Sequence, residues 1–321
     1  MTGRLLVAAI AAWFAAAAQA QSFPAKPVRL VVGYSAGGPT DVIGRLIAQD
    51  MSASLGQGGV VGDKTGANGL IGTLEVKKAA PDGYTLLVTT LSHNVNAILM
   101  ADKKPYDPLQ DFTTVSLVSF LPMVMVTKGD SPFGSVQEVV QAAKAKPGDV
   151  SYASAGNGGS AHLAGALLAT LTSTQMTHVP FRGNAPALTE VMAGRVSFMF
   201  YPMIGISDHV AQKRLKALPV TTDKPHPDYP GVPTTAQSGL AGFEEYTQGL
   251  GIVGPAGIPA PVVAKLNEAV RASLPRPETQ KRLQQLGAIV HPSSPEEFRK
   301  WLTGDAERWA RVIKAAGVKA E

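Results

Sequence analysis

Two glycine-rich turns could bind an anion through the backbone. They run from Gly33 to Asp41 and from Ser154 to His162, and each follows a short apolar stretch and opens a helical pattern. The first turn of a helix leaves N–H groups without intrahelical acceptors and carries a partial positive charge, and glycine lets a ligand approach these donors closely. Either turn alone would be an ordinary connection between a strand and a helix. Together they predict two backbone cradles that face one anion.

Few residues offer chemistry beyond binding. The chain has no cysteine, its six histidines show no zinc-binding spacing, and the G-x-S-x-G nucleophile motif is absent. Ser160 and His162 lie two positions apart on a predicted helix, so they point to different faces and do not pair as nucleophile and base. We therefore expect no enzyme activity, no catalytic residue and no metal site.

One stretch matches a dinucleotide-binding pattern. Residues Gly156 to Ala161 fit G-x-G-x-x-G/A between a strand and a helix. Such a site also needs an acidic residue about twenty positions further on to hold the ribose. None occurs between His162 and Thr189, and neither turn has the Lys-Ser/Thr ending of a P-loop. We expect no cofactor.

The composition is typical of a globular protein. The chain has 321 residues, 45% of them hydrophobic, and a net charge of +5. This length suffices for two packed domains. The charges are interspersed, and no stripe of basic and aromatic residues indicates nucleic acid as a partner.

The first residues have the pattern of an export signal. Arg4 precedes an apolar stretch from Leu5 to Ala18, and Ala18-Gln19-Ala20 provides a small-x-small cleavage pattern. A membrane anchor is the alternative, but the stretch is shorter than the roughly 18 to 20 residues that cross a bilayer. We expect residues 1–20 to be a cleaved signal peptide and the mature protein to be periplasmic.

An alternation of strands and helices carries the two turns. Strands are predicted at residues 28–32, 60–61, 84–89, 115–118, 123–126, 150–153, 175–179, 196–200 and 215–220. Helices are predicted at 40–55, 136–145, 162–171, 185–193, 261–274, 278–286 and 295–316, and an amphipathic stretch that ends at residue 79 completes a second β-α-β unit. Short buried strands that alternate with helices predict mainly parallel sheets. Residues 243–254 are predicted to form a helix and loop region.

We predict two α/β domains with a ligand cleft between them. Domain 1 comprises residues 21–122 and 243–321, with the C-terminal helices covering its sheet, and domain 2 comprises residues 123–242. In open α/β sheets, ligands bind beyond the carboxyl ends of the strands, where both turns lie. The length and a closed cleft favour a monomer.

Four side chains near the turns have predicted roles. Tyr34, Phe181 and Tyr201 lie near strand ends and are predicted to wall the ligand, although each alone is more often a core residue. Asp41 is predicted to cap its own helix or to hold a water, because a carboxylate that pointed inward would repel an anion.

Nine short segments follow one another in a specific order, although each alone is generic. They are Gly37–Asp41, Gly66–Gly72, Ala80–Leu86, Tyr106–Phe112, Lys146–Gly148, Gly156–His162, His178–Gly183, Val232–Thr234 and Gly254–Pro259. Together they resemble the Bug family of extracytoplasmic solute receptors, and the similarity spans essentially the whole mature chain. The resemblance implies the substrate-binding component of a tripartite tricarboxylate transporter or an orphan relative.

The resemblance also implies an architecture and a set of ligand contacts. The implied fold has two doubly wound α/β domains of the type II periplasmic-binding-protein kind, which close like a flytrap over a di- or tricarboxylate or an aromatic acid. The ligand is held by amides and hydroxyls of the two turns, partly through water. The implied contacts are Ser35, Gly37, Gly38, Pro39, Thr40 and Asp41 in the first turn, Ser154, Gly156, Gly158, Gly159, Ser160 and His162 in the second, and Thr89, Thr90 and Ser92 as a second tier.

Two positions depart from the family pattern. Ser35 stands where many relatives have proline, and Tyr201-Pro202 stands where an acidic residue often follows the strand. An acidic side chain there would pair with a ligand amino group, so Tyr201 favours a plain or aromatic carboxylate over an amino acid. Because the ligand is expected in front of the glycines, Gly38→Val and Gly158→Val are expected to abolish binding without unfolding the protein.

The sequence leaves two alternatives for the membrane partner. One is the set of integral-membrane subunits of a tripartite tricarboxylate-type transporter, and the other is a membrane sensor protein that docks the loaded form. An exported enzyme acting on carboxylated compounds is a further alternative, but it would need a base that the sequence does not offer.

Overall fold

The computed structural model describes residues 23–181, 183–203, 206–222, 224–240, 242–243, 246, 248–285 and 287–319. The predicted signal peptide lies outside these residues. The strands are β1 Val28–Val32, β2 Gly59–Asp63, β3 Thr85–Thr89, β4 Phe112–Leu121, β5 Met123–Lys128, β6 Ser151–Ser154, β7 Thr177–Pro180, β8 Phe198–Pro202, β9 Leu215–Val220, β10 Gln248–Pro255 and β11 Ile289–Val290. The helices are α1 Pro39–Leu55, α2 Leu70–Lys77, α3 Ser92–Leu99, α4 Val136–Ala145, α5 Ser160–Leu171, α6 Asn184–Met192, α7 Ser207–Ala211, α8 Ala260–Ser273, α9 Pro277–Gln285 and α10 Pro295–Ala316.

The strands form two sheets, which confirms the predicted α/β fold. The first sheet has the order β11-β4-β10-β3-β1-β2 and the second the order β7-β6-β8-β5-β9. The first sheet takes its strands from residues 28–121 and 248–290, and the second takes them from residues 123–220. The domain boundaries at 122/123 and 242/243 remain a prediction.

Both sheets are mixed, so the prediction of mainly parallel sheets is wrong. Strand β1 pairs in parallel with β2 and β3, and β6 pairs in parallel with β7 and β8. Strand β10 lies between β3 and β4 and runs antiparallel to both, while β5 lies between β8 and β9 and runs antiparallel to both. Strand β5 is the first strand after the chain crosses to the second sheet, and β10 is the first strand after it returns to the first sheet.

Strand β10 replaces the predicted helix and loop region at residues 243–254. All eight of its residues are buried. A side-chain carbon at Gly249 would overlap the Trp301 ring, and one at Gly251 would overlap the Phe298 ring. These glycines look unfavourable for a strand, but they are needed because two aromatic rings of α10 pack directly on the backbone.

Helix α10 also differs from its predicted packing on the first domain alone. Its start is capped by Ser294 and Glu297, which form a reciprocal capping box. Phe298 and Leu302 pack in a core of the first sheet, whereas Trp309 and Ile313 lie in the core around the second sheet. The helix therefore joins the two sheets.

Helix α3, which the sequence did not predict, makes a second such connection. It follows β3 of the first sheet, yet Leu91 and Val95 belong to the core around the second sheet. Both glycine-rich turns lie near this junction, since the Tyr34 hydroxyl of the first turn bonds to Ser92 and Gly158 of the second turn faces Leu99.

Among the described helices, none combines the length and apolar character needed to cross a bilayer.

Candidate functional site

The first turn joins β1 to α1. Gly37 has a positive φ of +79°, and Gly38, at the N-cap position, has φ −74° and ψ 166°. The Gly38 amide donates to the Ser35 carbonyl at 3.2 Å, and the Gly37 amide donates to Asp41 Oδ2 at 2.7 Å. The side chain of Asp41 thus folds back over the turn that precedes its own helix.

The second turn joins β6 to α5 and repeats this geometry. Gly158 has a φ of +70°, and Gly159, at the N-cap, has φ −73° and ψ 165°. The Gly159 amide donates to the Gly156 carbonyl at 3.3 Å, and the Gly158 amide donates to His162 Nδ1 at 3.0 Å. His162 therefore takes the place that Asp41 has in the first turn.

The glycine amides are not the free donors that the sequence predicts. Those of Gly37, Gly38, Gly158 and Gly159 bond within the turns, and that of Gly156 donates to Ser154 Oγ at 3.1 Å. Pro39 has no N–H. At the starts of α1 and α5, within the described residues, the backbone amides that have no acceptor are those of Thr40, Asp41, Ser160, Ala161 and His162. The glycines shape the turns, and the donors lie one to four positions further along the chain.

Asp41 does not cap its own helix as predicted, because its side chain accepts the Gly37 amide before the helix and no amide of the described helix. Its charge is balanced. Arg45 Nε lies 2.8 Å from Asp41 Oδ1, and the same guanidinium lies 3.0 Å from Asp63 Oδ2. Burial would raise the pKa of Asp41, but hydrogen bonds from Arg45 and from the Gly37 amide outweigh it and hold the pKa below its usual value. The carboxylate therefore stays ionised, and Arg45 compensates its charge.

His162 stacks on His178 from strand β7. The ring centroids are 3.7 Å apart and the planes differ by 4°. His178 Nε2 lies 2.6 Å from Ser154 Oγ. Burial lowers the pKa of each histidine to about 4. Both rings are neutral at pH 7, and the neutral state leaves His162 Nδ1 able to accept the Gly158 amide.

The second-tier hydroxyls bond to one another beneath the first turn. The Tyr34 hydroxyl lies 2.9 Å from Thr90 Oγ1 and 2.7 Å from Ser92 Oγ, and Thr89 Oγ1 donates to the Gly251 carbonyl at 3.3 Å. Together with His93, these residues line a cavity the size of a single water molecule. Thr90 and Ser92 therefore fix the Tyr34 side chain of the first turn through hydrogen bonds.

Phe181 and Tyr201 flank the second turn. The Phe181 amide donates to the Ser154 carbonyl at 2.9 Å. Strand β8 runs parallel to β6, and Met199 lies opposite Ala153. Tyr201, two residues after Met199, therefore lies level with the start of the second turn. Both side chains are half-buried. Their role as walls of a ligand site stays a prediction.

Sequence reasoning missed Asn68 as a site residue. It belongs to the Gly66–Gly72 segment and lies between the two turns, with Tyr34 on one side and Gly158 on the other. A side-chain carbon at Gly158 would meet Leu99 Cδ1 at 2.8 Å and lie 3.6 Å from Asn68 Nδ2. The expectation that Gly158→Val leaves the packing intact is therefore wrong, because this glycine faces α3. The signal in the sequence was an asparagine between glycines, a residue that tolerates a left-handed backbone.

The fold is that of a two-domain periplasmic binding protein. The sequence profile of the "Tripartite tricarboxylate transporter family receptor" matches residues 43–318. The chain belongs to this family, which confirms the predicted membership, and it is a periplasmic solute-binding receptor of that transporter class.

Relatives and solved structures agree with this assignment. The UPF0065 protein in the tcbD-tcbE intergenic region of Pseudomonas sp. (strain P51) is 38% identical over 91% of this chain and 87% of its own length. The periplasmic binding protein BugD is 34% identical, with a TM-score of 0.83 over 93% of this chain and 100% of its own.

Two similar structures contain carboxylates. An R. palustris protein solved with adipate is 30% identical, with a TM-score of 0.85 over 93% of this chain and 99% of its own. MatC from Rhodopseudomonas palustris, with bound malate, is 32% identical, with a TM-score of 0.82 over 91% of this chain and 100% of its own.

Proposed function

We propose that this protein captures a small carboxylate between its two glycine-rich turns and delivers it to the membrane subunits of a tripartite tricarboxylate-type transporter. The proposal rests on the matched geometry of the two helix starts. Five backbone amides there, on residues 40–41 and 160–162, have no acceptor. Helix starts of this kind bind carboxylates through N–H groups and the helix dipole.

Such a site can bind a carboxylate with micromolar affinity even without a positively charged side chain that contacts the ligand. Hydrogen bonds to a charged group contribute about 1.5 to 3 kcal/mol each. Four or five of them, less the cost of closing the domains, reach the ~8 kcal/mol that corresponds to a micromolar ligand. The malate and adipate in the two similar structures have this chemistry.

The second-domain wall favours a plain carboxylate over an amino acid. Tyr201 lies at the end of β8, and burial raises the pKa of its hydroxyl, so it stays neutral. It offers no negative charge to a ligand ammonium group. We therefore place di- and tricarboxylates and aromatic acids ahead of amino acids.

An exported enzyme is less well supported than a receptor. Ser154 and His178 are within hydrogen-bond distance at 2.6 Å. Ser154, however, has no exposed surface, so a substrate carbonyl has no access to its hydroxyl. A sensor that docks the loaded receptor would use the same site, and it differs in the membrane partner that the closed form contacts.

The first test is a thermal-shift and titration screen of the mature protein. Malate, adipate, citrate, benzoate, aspartate and phosphate form the panel, because a ligand that binds only the folded state raises the melting temperature. We expect a response to a plain carboxylate and none to aspartate. A response to phosphate alone would contradict the proposal.

A substitution in the second turn tests the role of the free amides. Gly159 and Gly38 have the same backbone angles, and the residue after Gly38 is a proline. Ser160→Pro should therefore fit at the first position of α5 while removing one amide donor. We expect the affinity to fall by roughly tenfold or more, since one hydrogen bond to a charged group is lost.

Two further variants serve as controls for this change. Ser160→Ala removes the hydroxyl and keeps the amide, and the reciprocal Pro39→Ser adds an amide to the first turn. We expect Ser160→Ala to bind more tightly than Ser160→Pro and Pro39→Ser to bind no more weakly than the wild type, with similar melting temperatures. Equal affinity of Ser160→Pro and the wild type would argue against ligand binding by the second helix start.

A further inference from the structure

The loop between β2 and α2 has an unusual backbone. Four successive residues have positive φ, namely Gly66 at +129°, Ala67 at +47°, Asn68 at +52° and Gly69 at +83°. Side chains with a Cβ disfavour this region, although asparagine tolerates it better than alanine does. Such a run persists only where surrounding contacts hold it, and it is concentrated at functional sites.

Contacts from two other elements hold this loop through Asn68. The Tyr34 hydroxyl donates to Asn68 Oδ1 at 3.4 Å. Asn96 on α3 accepts from Asn68 Nδ2 at 3.4 Å and donates through its own Nδ2 to the Asn68 carbonyl at 3.0 Å. The carboxamide of Asn68 is therefore fixed by the first turn on one side and by α3 on the other.

The same carboxamide faces the second turn. A side-chain carbon added at Gly158 would lie 3.6 Å from Asn68 Nδ2. Gly158 is buried, and its amide is the one that His162 accepts. Asn68 is thus hydrogen-bonded to Tyr34 of the first turn and lies close to Gly158 of the second turn.

We propose that Asn68 is a positioning residue that holds the first turn against the second, so that the free amides of both turns face one ligand. This inference rests on the proposed function. Asn68 need not touch the ligand. It acts through its hydrogen bonds to Tyr34 and Asn96, which hold its carboxamide close to Gly158 when the two turns are together.

The proposal predicts a specific kinetic effect. A contact that is present only in the closed state stabilises the liganded form and slows ligand release, while the initial encounter with the open form does not use it. Removing the carboxamide should therefore increase the dissociation rate constant and leave the association rate constant nearly unchanged.

Asn68→Gly is the sharpest variant, because glycine accepts the left-handed backbone and removes only the side chain. Asn68→Asp keeps the size and the backbone tolerance but replaces the Nδ2 donor with a carboxylate oxygen. Its negative charge would also repel a carboxylate ligand and slow association, so the unchanged association rate constant is expected of Asn68→Gly. Ser173→Gly is the matched control, since Ser173 is exposed, has a φ of +51° and lies outside the site. Thermal unfolding of each variant checks that the fold is kept.

Stopped-flow binding of malate, with adipate in parallel, provides the measurement. We expect Asn68→Gly and Asn68→Asp to release the ligand about tenfold faster than the wild type, because the closed state loses the side chain beside Gly158, and Ser173→Gly to match the wild type. Unchanged release from both Asn68 variants would overturn the role of Asn68 alone. A wild-type protein that binds no carboxylate would overturn the proposed function and this inference with it.

Discussion

At the scale of residues, two different side chains perform one structural task. Asp41 and His162 each lie four positions after a glycine whose amide they accept. Asp41 is ionised and balanced by Arg45, whereas His162 is neutral and stacked on His178. The two turns are equivalent in backbone geometry, and both need a deprotonated acceptor. They differ in the pH at which proton binding by the unfolded chain begins to compete, because the ordinary pKa is 6.5 for histidine and 3.8 for aspartate.

This difference predicts that the protein loses stability in acid through the second turn. Burial lowers the pKa of His162 and of His178 from 6.5 to about 4. Between these values the unfolded chain binds more protons than the folded protein, so the free energy of unfolding falls as the pH decreases from about 6.5 to about 4. Urea unfolding at several pH values measures this slope, which His178→Gln should reduce. His291→Gln, at an exposed histidine, is the control, and an equal loss of slope in both variants would refute the assignment.

At the scale of elements, periodicity located the long helices well, but it missed helix α3 and strand β10. Helices α4 and α10 begin and end where the sequence predicts, and α8 and α9 differ by one residue at each end. Strand β10 was missed because three glycines conceal its pattern, although it lies at the centre of the first sheet. A local pattern cannot show that rings from α10 occupy the space above those glycines.

Two glycine-to-alanine substitutions should have opposite effects on stability. At Gly251 a methyl group would overlap the Phe298 ring, so Gly251→Ala should lower the free energy of unfolding by about 1 to 3 kcal/mol. Gly304 lies inside α10 with open space around its Cβ position, so Gly304→Ala should raise it by about 0.5 to 1 kcal/mol. Urea denaturation checks both values. A neutral Gly251→Ala would show that the rings can move away from β10.

At the scale of the molecule, helices α3 and α10 tie the two sheets together. Leu91 and Val95 from α3, and Trp309 and Ile313 from α10, lie in the core around the second sheet. Phe298 and Leu302, earlier on α10, lie in a core of the first sheet. Because the same helix buries apolar side chains in both cores, unfolding of one sheet exposes apolar surface that stabilises the other.

We therefore predict that the two sheets unfold together. Trp309→Ala removes a fully buried ring and should cost about 3 to 5 kcal/mol. Trp301 is then the remaining tryptophan of the predicted mature chain, and it packs on β10 of the first sheet. Its fluorescence and the far-UV circular dichroism should shift together to lower urea, whereas Lys300→Ala on the exposed side of α10 should not shift either signal. A circular-dichroism step that precedes the Trp301 transition would mean that the sheets are independent.

The sequence by itself determined the two turns, the absence of cysteine chemistry, the α/β class and the family, because these follow from local patterns and from the order of short motifs. The tertiary structure decided which amides are free, since the partners of the Gly37 and Gly158 amides depend on how Asp41 and His162 fold back. It also brought Asn68 between the turns. Local sequence specifies the conformation of each turn, but the spacing between two turns that are more than a hundred residues apart is set by the packing of helices and sheets.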